Sequence, residues 1–257
     1  MTDTAREPGL ATQPAIAPRL DAVRDRIAAA EARFGRASGS VQLLAVSKVQ
    51  PADLIRAAHR HGQCAFGESY VQEACDKQAL LGDLTLDWHF IGRIQSNKTK
   101  TIAEHFDWVH GLGDLRHAQR LGAHRLTLSE QPLRCCLQVN LSGEASKAGV
   151  EPHALPELLA RCADVDGLRI EGLMTLPAPA EDVAAQRRPF AALRALRDQL
   201  ATPEQPLATL SMGMSDDLEA AIAEGATMVR IGTAVFGPRP RQAEQAAPRS
   251  YPPSQKR

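Results

Sequence analysis

The 257-residue chain has no net charge: 30 Lys and Arg offset 30 Asp and Glu, and the pI is about 7.1. That balance removes any global pull toward nucleic acid or an anionic membrane, so a phosphate group would have to be bound locally. The chain also has no apolar run long enough to span a bilayer and no N-terminal segment suited to a signal peptide. Its five cysteines, Cys64, Cys75, Cys135, Cys136 and Cys162, are odd in number and lack CxxC or Cys/His metal spacing. A reducing cytoplasm is the expected compartment, with no metal site. Tyrosine occurs only at Tyr70 and Tyr251, and lysine only at Lys48, Lys77, Lys98, Lys100, Lys147 and Lys256, in a chain that otherwise uses arginine for positive charge. Where lysine is this scarce, Lys48 at the end of an apolar run hints that an amine was wanted there.

What is present is an ordinary core: 44% of residues are hydrophobic, enough for one large α/β domain. Residues 1–17 have no period and read as a disordered leader, and Pro, Arg, Gln and Ser dominate 238–257, which reads as a disordered tail. Between them, Leu20, Val23, Ile27, Ala30 and Phe34 recur at three- and four-residue steps and predict an amphipathic helix over 18–36. Eight short apolar runs follow, at 41–48, 63–66, 84–91, 107–110, 133–141, 168–175, 207–211 and 228–231, with helical stretches between them. Asp114 reads as the N-cap of one of these helices. This alternation is the parts list of a single-domain (β/α)8 TIM barrel with an extra N-terminal helix, spanning 18–237; a doubly wound open sheet is the competing arrangement.

In parallel α/β proteins the chemistry sits at the C-terminal ends of strands. The run Val41 to Ser47 ends at such a position on Lys48, which either caps the strand in solvent or supplies an amine for a Schiff base with a carbonyl compound. The loops after the seventh and eighth strands, Ser211 to Asp217 and Arg230 to Gly237, each combine glycine with a hydroxyl. They serve either as ordinary turns or, together, as a phosphate cup, with Ser215 capping the next helix. A phosphate cup and an amine facing one barrel mouth suit a phosphorylated carbonyl compound such as pyridoxal 5′-phosphate.

The motifs Ala45-Val46-Ser47-Lys48, Phe66-Gly67-Glu68-Ser69-Tyr70-Val71-Gln72-Glu73, Trp88-His89-Phe90-Ile91-Gly92, Gln95-Ser96-Asn97-Lys98, Gly172-Leu173-Met174, Ser211-Met212-Gly213-Met214-Ser215-Asp216-Asp217 and Val229-Arg230-Ile231-Gly232-Thr233 lie within 18–237. Together they closely resemble the pyridoxal phosphate homeostasis protein family, which is similar to the barrel domain of alanine racemase. The resemblance implies that Lys48 is the Schiff-base lysine, that Ser211, Gly213, Met214 and Ser215 with Gly232 and Thr233 hold the phosphate, and that Arg230 faces the pyridine nitrogen. An arginine there stays protonated and opposes protonation of the ring, which weakens the ring as an electron sink. His89 either lies against the cofactor or is a satisfied core histidine, and Met174 either packs near the ring or fills the core. The pattern Asn140, Glu144, Lys147, Gly149 also resembles the family; Glu144 and Lys147 read by default as a solvated pair, with Lys147 offering a second amine for handover. At Ser69 many relatives carry asparagine, so the match departs there.

The chain closes at Arg257, soon after the eighth strand, and is expected to lack the β-rich second domain whose tyrosine serves a racemase as acid or base. The resulting expectation is a monomeric cytoplasmic protein that binds, buffers or delivers pyridoxal phosphate to apo-enzymes without strong catalysis of its own. A racemase-like enzyme of low activity using Lys48 as its base is the first alternative, and a Schiff-base aldolase acting on a phosphosugar the second.

Overall fold

The structure, a computed structural model, describes residues 16–142 and 148–238. Helix α1 (Ile16–Arg33) precedes β1 (Gln42–Val46), α2 (Ala52–Arg60), β2 (Ala65–Glu68), α3 (Val71–Leu80), β3 (Asp87–Phe90), α4 (Thr99–His105) and β4 (Trp108–Leu112). There follow α5 (Leu115–Leu128), β5 (Leu133–Gln138), α6 (Leu155–Ala163), β6 (Leu168–Met174), α7 (Val183–Leu200), β7 (Thr209–Ser211), α8 (Leu218–Ala223), β8 (Met228–Ile231) and α9 (Thr233–Phe236).

Every strand pairs with its neighbours in parallel, and β1 also pairs with β8, Gln42 opposite Met228 and Ala45 opposite Ile231. That last pairing closes the sheet, so the barrel replaces the open-sheet alternative. Buried parallel strands must be apolar on both faces, and β1 shows this: Leu43, Leu44 and Ala45 are all buried. The outer core lies between barrel and helices, where Leu20, Ile55, Ile102, Leu121, Phe190 and Leu193 have almost no exposed surface. Asp114 caps α5 by accepting from the Arg116 N–H at 2.7 Å.

Several boundaries are corrected: α1 runs from Ile16 to Arg33 rather than over 18–36, β3 from Asp87 to Phe90 rather than over 84–91, and two others have a visible cause. Strand β2 begins at Ala65, not 63, and runs on through Glu68, because the Gln63 side chain donates to the carbonyls of Leu43 and Ala65 and so belongs to the turn beneath the strand. Helix α8 begins at Leu218, and Ser215 does not cap it: Asp217 stands at the N-cap and its carboxylate instead accepts from the Met214 N–H, folding 214–217 into a turn.

The middle of the barrel departs from the apolar layers usual in this architecture. Its walls carry Glu68, His89, His110, Ser211 and Arg230, all buried. Strand β6 also carries an irregularity against β5: Cys135 faces Ile170 whereas Cys136 faces Gly172, so Glu171 is an extra residue. Beside it, a Cβ on Gly172 would lie 1.8 Å from the Thr209 carbonyl oxygen of β7.

Candidate functional site

A cavity of about 600 Å3 opens at the C-terminal mouth of the barrel. Lys48 lines it from the turn after β1, Met174 from the end of β6, Met214 and Ser215 from the loop after β7, and Arg230, Gly232 and Thr233 from β8 and its loop. One wall therefore brings together an amine, a guanidinium and two hydroxyls. Another cavity, of about 450 Å3, lies beneath α1 at the N-terminal ends of β1 and β2 and holds no comparable set; the carboxylate of Glu31 there is occupied by Gly39, Ser40 and Val41.

Lys48 is half-buried, and its neighbours are clamped on both sides. Lys77, reaching in from α3, donates to Glu68 at 2.7 Å, to Glu73 at 2.6 Å and to the Ser47 carbonyl at 2.8 Å. The Ser47 hydroxyl donates to Glu68 at 2.7 Å, and the Val49 N–H donates to Glu73. Val49 has φ of 63°, a left-handed conformation that a β-branched residue adopts only when its surroundings hold it there. The ion cluster is thus what keeps the Lys48 turn in shape. Burial pushes the Glu68 carboxyl pKa up, with Lys77 and Ser47 acting in the opposite direction.

Arg230 is buried and points across the barrel end: Nη1 donates to the Ser211 hydroxyl at 2.8 Å and Nη2 to the Thr175 carbonyl at 2.9 Å. Desolvation lowers its pKa to about 10, opposed by Asp217 and Cys136, so it remains a cation at neutral pH. Gly232 sits where the backbone passes β1, since a Cβ there would stand 3.3 Å from the Val46 carbonyl.

Ser211 and Gly213 stand behind the cavity wall, next to its lining residues Arg230 and Met214. Ser211 is fully buried, with its hydroxyl held between Arg230 and His110. Gly213, at φ of 95°, lets α8 approach, since a Cβ would stand 2.5 Å from that of Ala221, and its carbonyl accepts from the Arg230 N–H. His89 is a satisfied core histidine: it stacks on Trp108 at 5.4 Å and contacts Asp87 and His110 through its two ring nitrogens. Met174 lines the cavity while packing on Trp108 and Cys136. Ser69 is half-buried at the end of β2, and a Cβ on Gly92 would stand 2.3 Å from its carbonyl oxygen. Asn140 holds Glu151 and Ser142, whereas Glu144 and Lys147 lie outside the described residues. Sequence reasoning missed the Lys77 cluster, although the four-residue spacing of Glu73 and Lys77 was a readable signal. It also missed Arg26, which lines the cavity and pairs with Glu219 while donating to the Ser215 carbonyl at 3.1 Å.

Burial lowers the pKa of His89 and takes that of His110 well below the usual value. Below about pH 6.5 the unfolded chain therefore binds protons that the folded one refuses, and stability falls as pH falls. Urea unfolding between pH 7 and 5.5 should show a loss of up to about 1.4 kcal/mol per pH unit for each of these histidines. A flat or rising profile there would mean that the pair is not held neutral.

Among the described residues, no three His, Cys, Asp or Glu side chains are arranged to hold a metal ion, and no helix is long and apolar enough to cross a membrane. The model of the alanine racemase N-terminal domain matches residues 19–240. The pyridoxal phosphate homeostasis protein of Pseudomonas aeruginosa is 54% identical over 224 residues, 87% of this chain and 96% of that protein. Its namesake in Escherichia coli is 48% identical over 227 residues, 87% and 97% respectively. PipY of Synechococcus elongatus, solved with PLP bound, superposes with a TM-score of 0.75 at 40% identity, covering 86% of this chain and all of that one. The alanine racemase of Clostridium difficile shares the barrel alone, with a TM-score of 0.69 at 12% identity over 89% of this chain and 58% of that one. With a barrel of the alanine racemase type and this identity along nearly the whole length of its relatives, the chain belongs to the pyridoxal phosphate homeostasis protein family.

Proposed function

We propose that this chain binds pyridoxal 5′-phosphate at the barrel mouth and holds it for delivery to apo-enzymes, with Lys48 as the covalent attachment point. The observation that carries the reading is the shared cavity wall of Lys48, Arg230, Ser215 and Thr233. The donor set fits a flat phosphorylated aldehyde: an amine for the carbonyl, hydroxyl-bearing loops for the phosphate and a guanidinium for the ring nitrogen. When bound, pyridoxal phosphate supplies an aldehyde that condenses with an amine to give a Schiff base.

In this reading Ser215 and Thr233 orient the phosphate, Met174 packs beneath the ring, and Lys77 with its carboxylates aims Lys48. The functional unit is the barrel together with its N-terminal helix α1, acting as a monomer in the cytoplasm.

Strong catalysis is not part of the proposal. Arg230 stays charged and, as a donor, would oppose protonation of the ring nitrogen, which limits electron withdrawal from a substrate carbon. Tyr70, the single tyrosine among the described residues, is exposed at the start of α3 and does not line the cavity. Incubation with α-deuterated amino acids should therefore release no deuterium at a rate matching a racemase.

The decisive experiment is visible absorption of the protein with pyridoxal phosphate, before and after borohydride, with mass spectrometry of the Lys48 peptide. A yellow band bleached by reduction and an adduct on Lys48, both lost in Lys48→Ala, are expected. A colourless protein with no adduct would end this reading.

A further inference from the structure

Four buried polar groups of the barrel interior, His89, His110, Ser211 and Arg230, join Asp87 in one chain of hydrogen bonds. From Asp87 at the start of β3, Oδ2 lies 3.1 Å from His89 Nε2, His89 Nδ1 lies 2.9 Å from His110 Nε2, and His110 Nδ1 lies 2.8 Å from the Ser211 hydroxyl. That hydroxyl accepts from Arg230 Nη1 at the cavity wall. His89, His110 and Ser211 are fully buried. Hydrogen bonds in such a dry interior are expensive to leave unmade.

We infer that Asp87 is a positioning residue for Arg230: its carboxylate, at the far end of this chain, sets the direction of every proton along it and so fixes how Arg230 is presented to the cavity. The direction follows from donor and acceptor counting. An ionised carboxylate only accepts, so His89 must carry its proton on Nε2, which leaves Nδ1 bare. His110 must then donate from Nε2 and accept at Nδ1, and the Ser211 O–H must point at His110. Its lone pairs are thereby turned toward Arg230, a donor with no acceptor capacity. Reversing any one link would put two donors or two acceptors face to face, or leave the Ser211 proton without its partner.

The charges around the chain agree with this polarity. Arg134 pairs with the other oxygen of Asp87 at 2.7 Å, which holds that carboxylate ionised, and its guanidinium covers Trp108, the ring that stacks on His89. Asp107 also acts on His89, while Asp217 and Cys136 act on Arg230 from the other end. Strand β3 is therefore coupled to a guanidinium on β8 through the inside of the barrel.

The link from Arg230 to a ring nitrogen rests on the proposed function; the relay does not. The first measurement is accordingly nitrogen-15 NMR of the ligand-free, histidine-labelled protein at pH 7.5, assigned through loss of signals in His89→Gln. Both His89 and His110 should show a protonated Nε2 and a bare Nδ1; a proton on Nδ1 of either would overturn the relay. In Asp87→Asn, whose amide can also donate, the reverse tautomers should appear, and retention of pyridoxal phosphate should weaken roughly fivefold, or about 1 kcal/mol, with the adduct still on Lys48. Unchanged tautomers, or changed tautomers with unchanged retention, would remove Asp87 from its role toward Arg230. If Asp87→Asn does not fold, the native tautomers still decide the relay. Failure of the cofactor reading is distinguishable, since it would appear as a missing adduct in the native protein whatever the NMR shows.

Discussion

Lys77→Met is expected to lower the free energy of unfolding by about 3–5 kcal/mol, the usual cost of removing one partner from a buried ionic cluster. Glu68 is fully buried and one of its oxygens already has no hydrogen-bond partner. Without Lys77 it would be left with the Ser47 hydroxyl alone, and the Ser47 carbonyl would lose a donor. Glu73 would still accept from Val49 but would no longer be anchored, so the left-handed turn there would relax and carry Lys48 with it. Two measurements check this: urea unfolding, and the rate at which Lys48 is trapped by pyridoxal phosphate and borohydride. A well-packed double variant, Lys77→Met with Glu68→Met, should recover part of the stability, because two apolar side chains leave no stranded charge. A loss below about 1 kcal/mol for the single variant would mean that the cluster is dispensable, as exposed pairs usually are.

The second large effect is expected at Gly172, where alanine should abolish folding or leave an insoluble product. The added Cβ would stand 1.8 Å from a backbone oxygen of β7, and neither strand can retreat without breaking the ladder that joins Gly172 to Thr209 and Leu173 to Leu210. Soluble expression with circular dichroism is a sufficient readout. Gly39→Ala is a useful control: its φ of 74° imposes the strain of a left-handed residue, but no atom lies within 4 Å of the added Cβ. A cost of about 1 kcal/mol is expected there. If the two variants behaved alike, the contact between β6 and β7 would not be what demands glycine.

Much of this fold could be read along the chain because each element announces itself locally. The apolar run ending at Ile231 is bounded so sharply that β8 falls where periodicity puts it, and Asp114 announces α5 by its side chain alone. The site was less legible. Lys48, Met214, Ser215, Gly232 and Thr233 sit on loops at strand ends, positions that topology predicts will meet. Ser211 lies in the same stretch, but strand alternation turns it inward toward His110, a hundred residues away in sequence, and no local pattern reports that pairing. Lys77 shows a different failure. It sits in the middle of a helix, where a surface charge is the ordinary reading, and only the packed structure reveals two carboxylates waiting for it. The β2 and α8 boundaries shifted for a related reason: Gln63 and Asp217 spend their side chains on backbone groups that a one-dimensional reading does not see.

The pairing of β1 with β8 places the cavity across the seam where the beginning and the end of the barrel meet. Lys48 emerges from the ribosome early, whereas Arg230 and Thr233 are among the last barrel residues to be made. A nascent chain thus exposes its amine long before it owns a pocket, and only a completed, closed barrel can retain a ligand that touches both sides. A ligand that touches both sides of the seam favours the closed barrel over every open form and draws the population toward it by mass action, so that occupancy of the seam counts barrels that have closed.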